Sequence, residues 1–211
     1  MTRDKLVAMV ARRLGFRTDL DEAIVDELQL AQAQLEGQGW LPWFLRKSEV
    51  LVGVDGEQTL ALPEDFLAEV PSQALFLRTA TDSWEVPRKS RGEAIAITRY
   101  SPQGTPRVFS REGGEGLELW PIPDSGMEFL LRYFARQPLL DGGGAENKWS
   151  LLYPDLLVGK AGMAVAQTLQ SQPLFAGFAE MADRAYGAML ARDGADENNA
   201  TRPALGGYGR T

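Results

Sequence analysis

At Trp40 the apolar residues of this chain stop recurring at helical spacing and begin to alternate, and after Gly142-Gly143-Gly144 the helical spacing returns. Two such switches in 211 residues restrict the chain to folds in which helices and an antiparallel sheet are segregated along the sequence. Before the first switch, Leu6, Val10 and Leu14 stand four apart, and Leu20, Ile24, Leu28, Ala31 and Leu35 fall on one helical face. Gly15 ends the first helix, Asp19 with Glu22 makes a cap for the second, and Gly37 and Gly39 stop it. The spacing predicts an antiparallel helical hairpin over residues 1–39.

Between the switches the pattern is that of short strands. Val50, Val52 and Val54 alternate with Leu51, Gly53 and Asp55, and a turn at Asp55-Gly56 leads into Gln58-Thr59-Leu60-Ala61-Leu62, which reads as a β-hairpin. Residues 74–78 form a further strand, and Trp84-Glu85-Val86-Pro87 an edge piece that proline terminates. Ala94, Ile95 and Thr98 allow one short helix within residues 91–100. Residues 107–110 and 117–120 flank a glycine-rich turn, and Met127 to Phe134 has strand composition. Residues 40–140 are therefore expected to form one small antiparallel β subdomain, a meander or small sandwich.

After the triple glycine, Pro154 opens a helix to about Leu169 and Pro173 another to about Arg192, giving a second hairpin over 141–193 that packs on the first. Gly159, Gly162 and Ala166 are spaced to let a neighbouring helix approach closely, while Phe175, Phe178, Ala182, Ala185 and Met189 make an apolar stripe. Residues 194–211 lack any periodic apolar pattern and read as a flexible arm, reaching at most about 60 Å. The expected fold is α+β: a four-helix body made of N- and C-terminal helical hairpins, an inserted antiparallel sheet, and an extended C-terminal arm.

Composition removes whole classes of chemistry. The chain has no cysteine and no histidine, so disulfides, thiolate nucleophiles, Ser-His-Asp triads and the usual zinc sites fall away together. A net charge of -7 repels phosphate backbones and anionic membranes, and no apolar stretch approaches the roughly 18 residues of a membrane span. The glycine clusters lack the lysine and hydroxyl of a phosphate loop and read as turns. No cofactor, metal or catalytic residue is expected. An enzyme would have to work with carboxylates such as Glu64 and Asp65, which as neighbours on a strand point apart. A small-molecule binding module would need an apolar pocket with converging polar groups.

Two features suit protein contacts. Trp40, Trp43 and Phe44 sit together at the helix-to-sheet junction, as core that plugs the seam or as an interface anchor. In the arm, Tyr208 stands between glycines with Arg202 and Arg210 nearby, able to stack and to make bidentate contacts on a partner.

Taken in order, the segments resemble the head-to-tail adaptor family of tailed phages, also called head-tail connector or tail tubular A-like proteins. The resemblance is carried by the N-terminal hairpin, Trp40-Leu41-Pro42-Trp43-Phe44-Leu45, and Leu62-Pro63-Glu64-Asp65-Phe66. It continues through Leu119-Trp120-Pro121-Ile122-Pro123-Asp124, Phe129-Leu130-Leu131-Arg132-Tyr133-Phe134, and Leu152-Tyr153-Pro154-Asp155-Leu156-Leu157. It implies a virion structural protein without enzymatic activity, located in the neck between capsid portal and tail. The implied assembly is a homo-oligomeric ring, a dodecamer of about twelve copies with heterologous contacts. Its partners would be the portal and a tail nozzle or tail tube protein, and DNA would pass through an acidic lumen without sequence-specific binding. The C-terminal arm, through Arg202, Pro203, Leu205, Tyr208 and Arg210, would be the portal-binding element. Another neck or tail-completion protein would share this fold style and differ in partner.

Overall fold

A computed structural model describes residues 1–98, 102–111, 116–124 and 126–200. The chain divides into two units, one formed by residues 1–45 with 137–211 and the other by residues 46–136.

In the first unit α1 (Arg3–Arg13) and α2 (Asp21–Glu36) follow the predicted periodicity, with Leu6, Val10, Ile24, Leu28 and Leu35 almost wholly buried. They are followed in this unit by a short helix at Lys148–Leu152, by Pro154–Thr168, and by Gln172–Ala200. The helix at Pro154–Thr168 is in contact with α1, α2 and Gln172–Ala200, and it buries Leu156, Leu157, Val158, Val165 and its small residues. Each fully buried leucine or valine side chain supplies about 1.5–3 kcal/mol. Gly159 and Gly162 make the closest approach: a methyl group on Gly159 would lie 2.8 Å from the backbone nitrogen of Ala182, and one on Gly162 would overlap the Phe178 ring.

The triple glycine has a role beyond breaking the chain. The amides of Arg3 and Asp4 donate to the carbonyls of Ala145 and Gly143, so this loop satisfies the free N–H groups that open α1. The short helix at Lys148–Leu152 was not foreseen, because five residues are too few to show a period. Its start is set by Asn147, whose side chain accepts from the Ser150 amide while Ser150 Oγ accepts from the Asn147 amide.

The second unit holds strands β1 (Arg46–Val52), β2 (Thr59–Ala61), β3 (Phe66–Glu69), β4 (Leu75–Arg78) and β5 (Ser83–Val86). The helix α3 (Arg91–Thr98) comes next, followed by β6 (Val108–Ser110), β7 (Gly116–Trp120) and β8 (Glu128–Ala135). With α3 placed, the three helices of the first unit's C-terminal part become α4 (Lys148–Leu152), α5 (Pro154–Thr168) and α6 (Gln172–Ala200). The strands form two sheets, as in the sandwich alternative and not the meander. One runs β1-β8-β4-β5, with β3 also paired to β8; the other runs β2-β7-β6, and the pairings are antiparallel. Leu75, Leu77, Phe129 and Leu131 of the first sheet share one core with Leu60, Phe109, Leu117 and Leu119 of the second.

The expected hairpin across Asp55-Gly56 does not pair with itself. β1 joins β8 along its whole length, from Arg46 opposite Phe134 to Val52 opposite Glu128, while β2 leaves for β7. β8 wins because it alone among the strands is long enough to pair all seven β1 residues, with Phe129, Leu131 and Tyr133 inward to meet them.

The last helix is longer than expected. α6 continues through residues 194–200 instead of ending near Arg192, so seven residues assigned to the arm are helical, and at 29 residues the helix is about 43 Å long. Gly194 is the only glycine or proline among them; the other six, alanines with Asp, Glu and Asn, bear no breaker and propagate a helix that is already nucleated.

At the rim of β1 and β8, Tyr133 donates its hydroxyl to Asp65 (2.7 Å) and Glu49 (3.0 Å), and Lys47 bonds Asp65 at 2.8 Å. Burial pushes the Asp65 carboxyl up, but the hydrogen bonds from Lys47 and Tyr133 outweigh it and hold the group below its usual range. Burial, together with the bond to Asp65, pushes the Tyr133 hydroxyl up. Because the folded Asp65 value lies below the unfolded one of about 3.9, its contribution is complete above that pH and is lost as pH falls toward the folded value. The stability gap between this chain and Asp65→Asn, from urea melts at about pH 6 and about pH 3, is expected to narrow at the lower pH. A gap of equal size at both would remove the carboxylate charge as its source.

Candidate assembly interface

The aromatic junction is a knot within the first unit. Phe44 is 3% exposed and meets Trp149 edge-on at 4.9 Å and Tyr153 at 5.4 Å, while Trp43 contacts Phe44 at 6.2 Å. Trp40 and Trp43 are half-buried. The Trp43 amide donates to Asp193 Oδ1 at 2.7 Å, and the Arg192 guanidinium lies 5.4 Å from the Trp43 ring centroid. Lys148 donates to the Phe44 carbonyl at 2.7 Å. Asp193 is itself 3% exposed, so the last turns of α6 leave from a point clamped to this knot.

Beside the knot lies a buried polar network. Glu36 Oε1 accepts from Trp149 Nε1 (3.0 Å), Gln32 Nε2 (3.1 Å) and the Gln137 amide (3.2 Å). Gln32 Oε1 accepts from Asn147 Nδ2 at 2.8 Å, and Asn147 also donates to the Pro138 carbonyl. One helix residue thereby holds the chain where it re-enters the helical unit, and the cap of α4 belongs to the same network.

Of the residues singled out from sequence, Trp43 and Phe44 are brought together and Trp40 is half-buried; Arg202, Pro203, Leu205, Tyr208 and Arg210 lie outside the described residues. Glu64 is exposed, and Asp65 is committed to Lys47 and Tyr133. Sequence reading did not find the exposed apolar groups. In the first unit these include Leu139 (52% exposed), Leu151 and Leu152; in the second, Val50, Val52 and Val54 on and after β1, Trp84 on β5, and Ile95 and Ile97 on α3. The one available signal was the Val50-Val52-Val54 alternation, which marks one face of a strand without saying whether that face is covered. β1 is also the end strand of its sheet, and an end strand with an apolar outer face is a ready partner for another chain.

Apolar side chains are exposed on both units. The sequence model of the family described as SU10 adaptor protein matches residues 1–205. The chain belongs to that family, a family of phage head-to-tail adaptors. No curated protein matches the chain. No described helix is long and apolar enough to cross a membrane.

Proposed function

We propose that this chain is the subunit of a ring of about twelve copies that joins the portal to the tail of a tailed phage and forms part of the DNA channel, acting by assembly and not by catalysis. The observation that carries the reading is the family match over residues 1–205. In support, a ring subunit needs two different faces to be covered by its neighbours, and both units carry exposed apolar groups. The net charge of -7 favours a lumen through which DNA slides without sticking. The residues after α6, with Arg202, Pro203, Leu205, Tyr208 and Arg210, are the segment we assign to the portal.

The test is the native mass of the portal ring mixed with this chain, in full length and ending at Ala200. The full chain is expected to add about a dozen copies and the shortened chain few. Binding by both would take the portal contact away from residues 201–211. Binding by neither would overturn the portal reading and leave a tail-completion protein, to be tested on the tail tube.

A further inference from the structure

The larger sheet of the second unit runs β1-β8-β4-β5, and each strand on this path pairs antiparallel with the next. Four is an even number, so the two end strands, β1 and β5, run in opposite directions. Their outward backbone groups bond no other strand among the described residues. On the face turned to the core, the register lines up Leu51, Phe129, Leu77 and Trp84 across the sheet. Phe129 and Leu77 are buried, but the row is open at both ends: Leu51 is half-buried and Trp84 is 42% exposed. On the opposite face Val50 and Val52 are 41% and 60% exposed. Natural sheets blunt a free edge with lysine, proline or a bulge, and residues 49–52 and 83–86 carry none of these.

We propose that neighbouring copies join these sheets edge to edge, β5 of one copy pairing antiparallel with β1 of the next, with Trp84 opposite that neighbour's Leu51. A second copy is the occupant because the ring reading above requires one, and the junction rests on that reading. Strand direction selects which edges meet. In a ring each copy is set beside the last by the same rotation, so a junction between sheets brings one end of the path against the other end of the neighbour's. Because those ends run oppositely, the new pair is antiparallel, like each pair within the sheet, and the core-facing side stays on one side throughout. An odd number of strands on this path would have met in parallel. The apolar row then fixes the register: a slip of one residue turns the neighbour's face over, and a slip of two sets Trp84 on Glu49 or Gly53. With Trp84 on Leu51, Ser83 faces Val52, Glu85 faces Val50 and Val86 faces Glu49, so no like charges meet.

The chain has no cysteine, so introduced thiols report this contact without background. In the proposed register the Cα atoms of Ser83 and Val52 lie about 4.5–5.5 Å apart, within reach of a disulfide. Both residues are exposed, so neither exchange opens the core. Full-length Ser83→Cys, Val52→Cys, their equal mixture and the double variant are oxidised mildly, on the portal ring and concentrated without it, and resolved without reductant. The mixture is expected to give linked pairs and stop there, the double variant a ladder, and each single variant nothing. Ser48→Cys, about 13 Å further along β1, should not link to Ser83→Cys. Trp84→Ala on the Ser83→Cys chain should slow linking roughly two- to fivefold. A mixture no more linked than its components in both settings overturns the junction. So does Val52→Cys linking to itself as well as to Ser83→Cys, which is two-fold pairing of β1, and equal linking by Ser48→Cys overturns the register. A portal carrying about a dozen copies without the link overturns the junction and leaves the adaptor reading standing. A link formed in solution by a chain that no portal binds supports the junction and overturns the portal reading.

Discussion

Glu36→Leu is expected to destabilise the chain by about 3–5 kcal/mol, among the largest effects of any single exchange, while Glu36→Gln costs roughly 1–2 kcal/mol. Leucine matches the buried volume and would be harmless if Glu36 were merely a core position. It is not: three donors, Trp149 Nε1, Gln32 Nε2 and the Gln137 amide, converge on its carboxylate in a site that is 7% exposed. Leucine takes an acceptor from all three, leaves Gln32 Nε2 only the Gln137 and Pro138 carbonyls, and frees Gln32 from a bond that also orients it toward Asn147 and the cap of α4. Glutamine keeps a carbonyl for at least one donor. Urea unfolding of the three proteins gives the comparison; a leucine variant within about 1 kcal/mol of the parent would show that the network contributes nothing net.

The second large effect comes from glycine. Gly159→Val is expected to cost about 3 kcal/mol or more, and Gly159→Ala about 1–3 kcal/mol, although alanine favours an isolated helix by about 1 kcal/mol. The added methyl meets the backbone of Ala182 at 2.8–2.9 Å, and backbone cannot rotate aside, so α5 and α6 must separate along the face where Gly162 meets the buried Phe178 ring. Gly177 and Gly187, both on α6, have open space where the methyl would go. The same exchange to alanine there is expected to stabilise by up to about 1 kcal/mol. Thermal melts of Gly159→Ala and Gly187→Ala should therefore shift in opposite directions. Shifts of the same sign would mean that the α5–α6 contact is looser than the structure has it.

Much of the helical architecture was legible because its signal is local and repeated. Leu6, Val10, Ile24, Leu28 and Leu35 had to share a face whatever they packed against, and the glycines at 159 and 162 could be read as a close approach before the partner helix was known. The candidate interface was less legible. Val50 and Val52 announce one face of a strand, yet whether that face meets a core, a solvent or another chain depends on residues 75–131, which lie far along the sequence. The aromatic knot was visible as a cluster at 40–44, while its partners Trp149, Tyr153 and Asp193 come from more than a hundred residues away.

By itself, then, the sequence determined the helical ends, the strand-forming middle, the absence of thiol and imidazole chemistry, and the positions where helices could touch. These rest on composition and on periods that each segment carries alone. The tertiary structure decided what is non-local: that β1 pairs with β8 and not with β2, that the strands form two sheets on one core, and that α6 runs on through residue 200. It also decided that Glu36, Gln32 and Asn147 form one network. Each of these is a competition among partners distant in the chain, settled by which pairing buries more apolar surface and leaves fewer polar groups unsatisfied, and no short window of sequence contains both competitors.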